Sequence, residues 1–148
     1  MVNIAHKGKI AAIISSIVAF DQIVKHLVVN NISLGKEITV LEPLLSWTYI
    51  QNTGAGFGLF SGMNTILAFL GIMISAGLTY YYFTRENIDT APYVLIVAGA
   101  IGNVIDRITR GFVVDFISLP HWPAFNIADS AITIGVIWMI VSSLKKEE

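Results

Sequence analysis

Four stretches of the chain stay apolar for longer than a soluble core helix needs, and polar segments divide them. Ile10–Val29 opens behind His6, Lys7 and Lys9 and is interrupted by Asp21 and Lys25. Thr65–Phe83 runs nineteen residues without a charge, which is enough to cross a bilayer as a helix. Ala91–Ile105 is shorter and meets Asp106-Arg107. Ile127–Leu144 holds one acid, Asp129, near its start and closes on Lys145-Lys146. The first stretch also has the basic start of a secretory signal peptide. Phe20-Asp21-Gln22 offers no small-residue cleavage site, however, so it reads as a retained span. Gly71-xxx-Ser75 and Ala98-xxx-Gly102 supply small faces for close helix packing.

Residues 31–62 are too long for a turn and too polar to span. Ser46–Gln51 alternates with period two and is rich in aromatic and β-branched residues, which predicts a strand. Asn52–Gly58 follows with three glycines in five residues, a pattern that calls for positive φ or close backbone approach. The expected fold is an α-helical membrane protein of four transmembrane helices. A small extracytoplasmic β-cradle lies between helices 1 and 2, and residues 1–148 form a single domain.

Composition agrees with a bilayer environment: 55% of residues are hydrophobic and 13% charged, against about 25% charged in soluble domains. The net charge of -1 supplies no field that would recruit nucleic acid. Cysteine is absent, which removes disulfides, thiolate metal sites and a thiol nucleophile. His6, His26 and His121 are too scattered for a metal cluster, so no metal or other cofactor is expected. With four spans, Lys7, Lys9, Arg85, Lys145 and Lys146 share one side, against Lys36, Arg107 and Arg110 on the other. The positive-inside bias places the first group, and both termini, in the cytoplasm.

In a chain so poor in charge, the acids near the span ends are the candidates for chemistry. Asp21 precedes Lys25 by four residues, the favourable order for a helical ion pair, and reads as structural. Asp106 adjoins Arg107 and Arg110, where a salt-bridged collar competes with a role in substrate binding. Asp115 and Asp129 have no adjacent base. Pro120 and Pro123 break the link between them, and a bend there would bring the two carboxylates together at the outer surface. Two carboxylates in one site hold a proton between them, the chemistry of an aspartyl protease. The plainer alternative is that Asp129 caps the last helix and Asp115 pairs with Arg110. On residue pattern alone, Asp129, in the first turn of a helix, is expected to be the ionised member and Asp115, in an apolar run without evident donors, the protonated one. A Ser–Lys dyad using Lys25 or Lys36, and a base at His121, are weaker options. Trp47, Trp122 and Trp138 fit interfacial anchoring or packing better than a cofactor stack.

Five motifs then coincide in order along nearly the whole chain: Asp21-Gln22-Ile23-Val24-Lys25; Asn52-Thr53-Gly54-Ala55-Gly56-Phe57-Gly58; Ala98 to Arg107; Gly111 to Phe116; and Phe125 to Ser130. With these the chain resembles the lipoprotein signal peptidase (signal peptidase II) family. The resemblance implies an aspartyl endopeptidase that removes the signal peptide of a diacylglyceryl-modified prolipoprotein, cutting before the lipidated cysteine. It implies Asp115 and Asp129 as catalytic residues. It also implies that Asn52, Gly54, Asn103, Arg107 and Asn126 hold substrate or shape the site, and that Asp21, Lys25 and Asp106 support it. The setting would be the cytoplasmic membrane of a bacterium, with the active site at the outer face and the chain monomeric among membrane lipids. Ala98 stands where many members carry Gly and Gly56 where many carry Ala. The link between the two acids is shorter than usual, which bears on the outer lid. A small ion-coupled transporter would also hold intramembrane acids, but it should show repeat symmetry between halves, and none is visible here. A GxGD-type peptidase lacks its motif in this chain.

Single cysteines placed in this Cys-free chain test the orientation. An impermeant thiol reagent added outside intact cells should label sites in 31–62 and 110–125, and leave the termini unlabelled. Labelling of a terminus would invert the topology.

Overall fold

The computed structural model describes residues 4–55, 59–85 and 88–145. Gly56, Phe57 and Gly58 of the glycine-rich loop, and Lys146 of the basic C-terminal pair, lie outside the described residues. The chain runs α1 (Ile4–Asn31), β1 (Glu37–Leu41), β2 (Leu45–Asn52), α2 (Asn64–Thr84), α3 (Thr90–Thr109), β3 (Val113–Leu119), β4 (Trp122–Phe125) and α4 (Ile127–Leu144). All four helices are long and apolar enough to cross a membrane. α3 extends beyond the apolar run to include Asp106 and Arg107. It can do so because the Asp106 carboxylate is fully partnered inside the protein, as the site geometry below shows.

α3 is the central helix. It packs against α1, α2 and α4, while α2 and α4 barely meet. Two-thirds of its most apolar window is buried, against under a fifth for each of the others, whose outer faces are left for lipid. Glycine sets the approach distances. A Cβ at Gly102 would stand 2.9 Å from the Asp21 carboxylate, and one at Gly71 would stand 2.6 Å from the Val104 side chain. Both glycines belong to the small-residue faces seen in the sequence. Gly99 lies against the Ala128 backbone and Gly135 against Ile96, which seats α4 on α3. At one pole Ile10, Tyr82, Tyr93, Val94 and Val97 form an apolar cluster, with Tyr82 stacked on Tyr93 at 4.2 Å. At the other pole Val28 of α1 packs with Tyr49, Val114 and Phe116, whose side chains come from the sheet.

The sheet is antiparallel with strand order β1-β2-β3-β4. It is larger than the segment between α1 and α2 can supply, because the α3–α4 connection adds β3 and β4. Val113–Leu119 was readable only as an extended apolar run. Its partner β2 covers it, with Ile50 opposite Asp115 and Asn52 opposite Val113. Pro120 and His121 lie in the turn to β4, where His121 has φ 62°, and the hairpin returns the chain to the start of α4. Trp47 stacks on Phe116 at 5.5 Å while remaining partly exposed, and Trp122 and Trp138 are exposed too.

Candidate active site

The site is assembled where the C-terminal parts of α1 and α3 and the N-terminal end of α4 meet the sheet. Asp21, Lys25, Asp106, Asp115 and Asn126 are each at most 2% exposed, and Asn103 is 6% exposed. Such groups are tolerated in the interior only if paired and hydrogen-bonded. Lys25 Nζ lies 2.8 Å from Asp21 Oδ2 and 2.9 Å from Asp106 Oδ2, and donates to Asn103 Oδ1 at 3.1 Å. All three ammonium protons therefore have acceptors. Asp106 also pairs with Arg110 and accepts the Val114 N–H at 3.1 Å. Asp21 Oδ1 accepts the Ala128 N–H, one of the free donors in the first turn of α4, at 3.0 Å. Gln22 adds Nε2 bonds to Asp106 and to the Gly102 carbonyl, and its own carbonyl accepts from Arg110.

Two expectations are corrected here. Asp21 and Lys25 do form the helical pair, but Lys25 is shared equally with Asp106, so the pair is part of a three-helix cluster. The collar at Asp106 is made with Arg110 and Lys25. Arg107 turns away and donates from Nη2 to the Gly54 carbonyl at 3.0 Å.

The two remaining acids meet around Asn126. This residue is the N-cap of α4, and its side-chain oxygen accepts the Asp129 N–H at 2.9 Å. Asp129 Oδ2 accepts the Asn126 N–H at 3.2 Å in return, completing a capping box. With its oxygen so engaged, the Asn126 amide nitrogen points the other way. It donates to Asp115 Oδ1 at 2.7 Å and to Asn103 Oδ1 at 3.3 Å. Asn103 is oriented by the same logic: its oxygen faces Lys25 and its Nδ2 donates to Asp129 Oδ1 at 2.8 Å. Asn52 closes the other side by donating to Asp115 Oδ2 at 2.8 Å, while its oxygen accepts the Gly54 N–H. Gly54 is packed so closely that a Cβ would stand 2.5 Å from the Leu59 carbonyl.

All ten residues singled out in the sequence thus fall in one connected region. Asp129 takes part in capping its helix, as the third residue of the capping box whose N-cap is Asn126, and it sits beside Asp115 as well. Asp115 does not pair with Arg110, and among the described residues neither acid forms an ion pair. Asp115 does have donors, Asn52 and Asn126, contrary to the expectation from its apolar neighbours. Burial nevertheless pushes its carboxyl up to about 7. The Asp129 charge acts in the same direction, and the two amides pull it back. Asn64 and Gln22 were not singled out. The Asn64 amide donates to the Arg107 carbonyl, while Asn64 Oδ1 and Arg107 Nε are buried without a hydrogen-bond partner among the described residues. No sequence signal marks Asn64; Gln22 had only its place beside Asp21.

Residues 13–145 match the family described as signal peptidase (SPase) II. The chain belongs to the signal peptidase II family. The lipoprotein signal peptidase of Thermodesulfovibrio yellowstonii is 39% identical over 134 residues, covering 88% of this chain and 90% of that protein. That of Trichormus variabilis is 42% identical over 140 residues, covering 90% and 89%. A bacterial membrane enzyme solved in meso at 2.3 Å superposes with a TM-score of 0.90 at 35% identity, covering 95% of this chain and 90% of that one. A second, solved at 1.9 Å, gives 0.83 at 35% identity, covering 93% and 94%. A multi-pass membrane peptidase is therefore the frame in which the carboxylates are to be understood.

The Lys25 cluster makes a stability prediction. Lys25→Met should destabilise the protein by about 3–5 kcal/mol, because with Asp106 still paired to Arg110 it leaves one buried negative charge of the cluster uncompensated. Adding Asp21→Asn to Lys25→Met should recover part of the loss. Thermal unfolding in detergent reads both, and a double variant no more stable than the single one would show that the charges are not coupled.

Proposed function

We propose that Asp115 and Asp129 are the acid pair with which this signal peptidase II cuts a prolipoprotein before its diacylglyceryl-modified cysteine, at the outer face of the cytoplasmic membrane. The observation that carries the reading is the shared asparagine. Asn126 holds one carboxylate by its side chain and the other by its backbone, so both are fixed on one small space. Both termini would be cytoplasmic, following the basic residues near them, and the sheet would lie on the outer leaflet.

In this mechanism ionised Asp129 takes a proton from a water molecule as its oxygen attacks the scissile carbonyl carbon. Asp115, neutral, hydrogen-bonds the carbonyl oxygen and passes its proton as the tetrahedral diol forms. Collapse of the diol returns one hydroxyl proton to Asp115 as the carbonyl re-forms and the C–N bond breaks, and the proton held by Asp129 goes to the leaving amine. Arg107 Nε, without a hydrogen-bond partner among the described residues, is a donor for a substrate carbonyl. Acyl chains of the substrate would rest against the lipid-facing helix surfaces. These roles make Asn52, Gly54, Asn103, Arg107 and Asn126 positioning or substrate-holding residues, and Asp21, Lys25 and Asp106 their support.

Purified protein should cleave a lipid-modified prolipoprotein and leave its unlipidated form intact; equal cleavage of both, or of neither, would contradict the reading. Asp115→Asn and Asp129→Asn should each lower turnover by at least ~100-fold in a folded protein, because each removes a proton-transfer group. Near wild-type turnover in either would remove it from the pair. The protonated form of Asp115 is the active one, so turnover should fall as pH rises through about 7. A rate flat from pH 6 to 9 would contradict that role.

A further inference from the structure

The gap between α2 and α4 ends in a cavity of about 340 Å³ at the pole of the bundle opposite the acid pair. Leu78, Ile96 and Met139 line it with hydrocarbon, and Asp89 and Ser142 give it a polar edge. Asp89 is the N-cap of α3, whose last turns carry Asn103 and Arg107. Ser142 is in the last turn of α4, whose first turn carries Asp129. At about 1.5 Å per residue, Ser142 lies roughly 20 Å from Asp129 along α4.

Asp89 is half-buried. Its Oδ1 accepts the Ala91 N–H at 3.1 Å, and its Oδ2 has a long bond from Ser142 at 3.4 Å. Among the described residues no cation pairs with it. The cavity therefore offers a partly satisfied carboxylate at the rim of an apolar trough between spans.

We infer that this cavity receives the basic N-terminal region of the substrate's signal peptide, with a lysine or arginine on Asp89. The inference rests on the signal-peptidase reading and adds a second subsite to it. A signal peptide carries a basic segment, then 7–15 apolar residues, then the cleavage site. As a helix, those apolar residues span about 10–22 Å, which matches the separation of the cavity from the acid pair. The charge matches as well: an aliphatic lysine stem suits the Leu78, Ile96 and Met139 lining while its ammonium reaches Asp89. The orientation agrees too, since a signal peptide enters with its basic end on the cytoplasmic side. Asp89 lies in the segment that the positive-inside bias puts there.

Two versions of one lipid-modified prolipoprotein test this, one with lysines in its basic segment and one with glutamines in their place. Binding is measured to the Asp115→Asn protein in uncharged detergent, so that neither turnover nor anionic lipid contributes, and cleavage is measured with the wild type. The lysine form should bind about three- to tenfold tighter, with the preference shrinking in high salt. Asp89→Asn, which keeps a good N-cap, should abolish the preference. Ser142→Lys, which places a competing ammonium beside Asp89, should do the same. Equal binding of the two forms, or a preference that survives both substitutions, would overturn the inference even where both substrates are cleaved. Conversely, a preference lost on Asp89→Asn would support the subsite even if wild-type cleavage failed, and that failure would strike only the peptidase reading.

Discussion

A lysine with no exposed surface sits between two carboxylates that are equally hidden, and the rest of the site hangs from it. Lys25 draws Asp21 of its own helix and Asp106 of α3 onto one point. Asp21 then reaches the first turn of α4, and Asp106 reaches the backbone of β3. With Arg110, the cluster holds two formal negative and two positive charges, so its burial leaves no net charge uncompensated. The close approach that this requires explains Gly102, whose missing side chain makes room for the Asp21 carboxylate.

From that anchor a sequence of fixed amides leads to the acid pair. Lys25 takes the Asn103 oxygen, which turns the Asn103 nitrogen to Asp129. The start of α4 takes the Asn126 oxygen, which turns its nitrogen to Asp115. Neither amide can flip without leaving a buried donor facing a donor. The two carboxylates are thus placed by groups that are themselves over-determined, which is the rigidity that a site of two like charges needs. Their difference comes from environment. Asp129 joins a helix start, rich in N–H donors, whereas Asp115 sits on β3, an inner strand of the sheet, and is almost wholly removed from water.

Much of this was legible in the sequence, for identifiable reasons. Apolar runs near twenty residues mark spans, and the four helices follow them closely. The Asp21–Lys25 spacing signalled a helical ion pair, and the apolar run from Ile127 put Asp129 in the first turn of a helix. The prolines at 120 and 123 signalled the bend that lets Asp115 and Asp129 approach. What was not legible depends on contacts far apart in the chain. The lysine's second partner, Asp106, comes from another helix, and Asn52 and Asn126 reach Asp115 from a strand and a cap distant in sequence. β3 looked like an apolar run because both its faces are covered, which erases the alternation that marks a half-buried strand. The cavity at Asp89 left no trace at all, since it is formed by the failure of α2 and α4 to meet.

The central claim is that two carboxylates share one space, and that burial, with the neighbouring Asp129 charge adding to it, raises the pH at which Asp115 gives up its proton. Isotope-edited infrared titration of the Asp115 carboxyl tests this directly, in the wild type and in Asp129→Asn. The account predicts a midpoint of about 7 in the wild type. It further predicts that Asp129→Asn moves the midpoint down, because a neighbouring negative charge is gone, while burial still holds it above the ordinary value of about 3.9. A wild-type midpoint near 4, or one unmoved by Asp129→Asn, would contradict it.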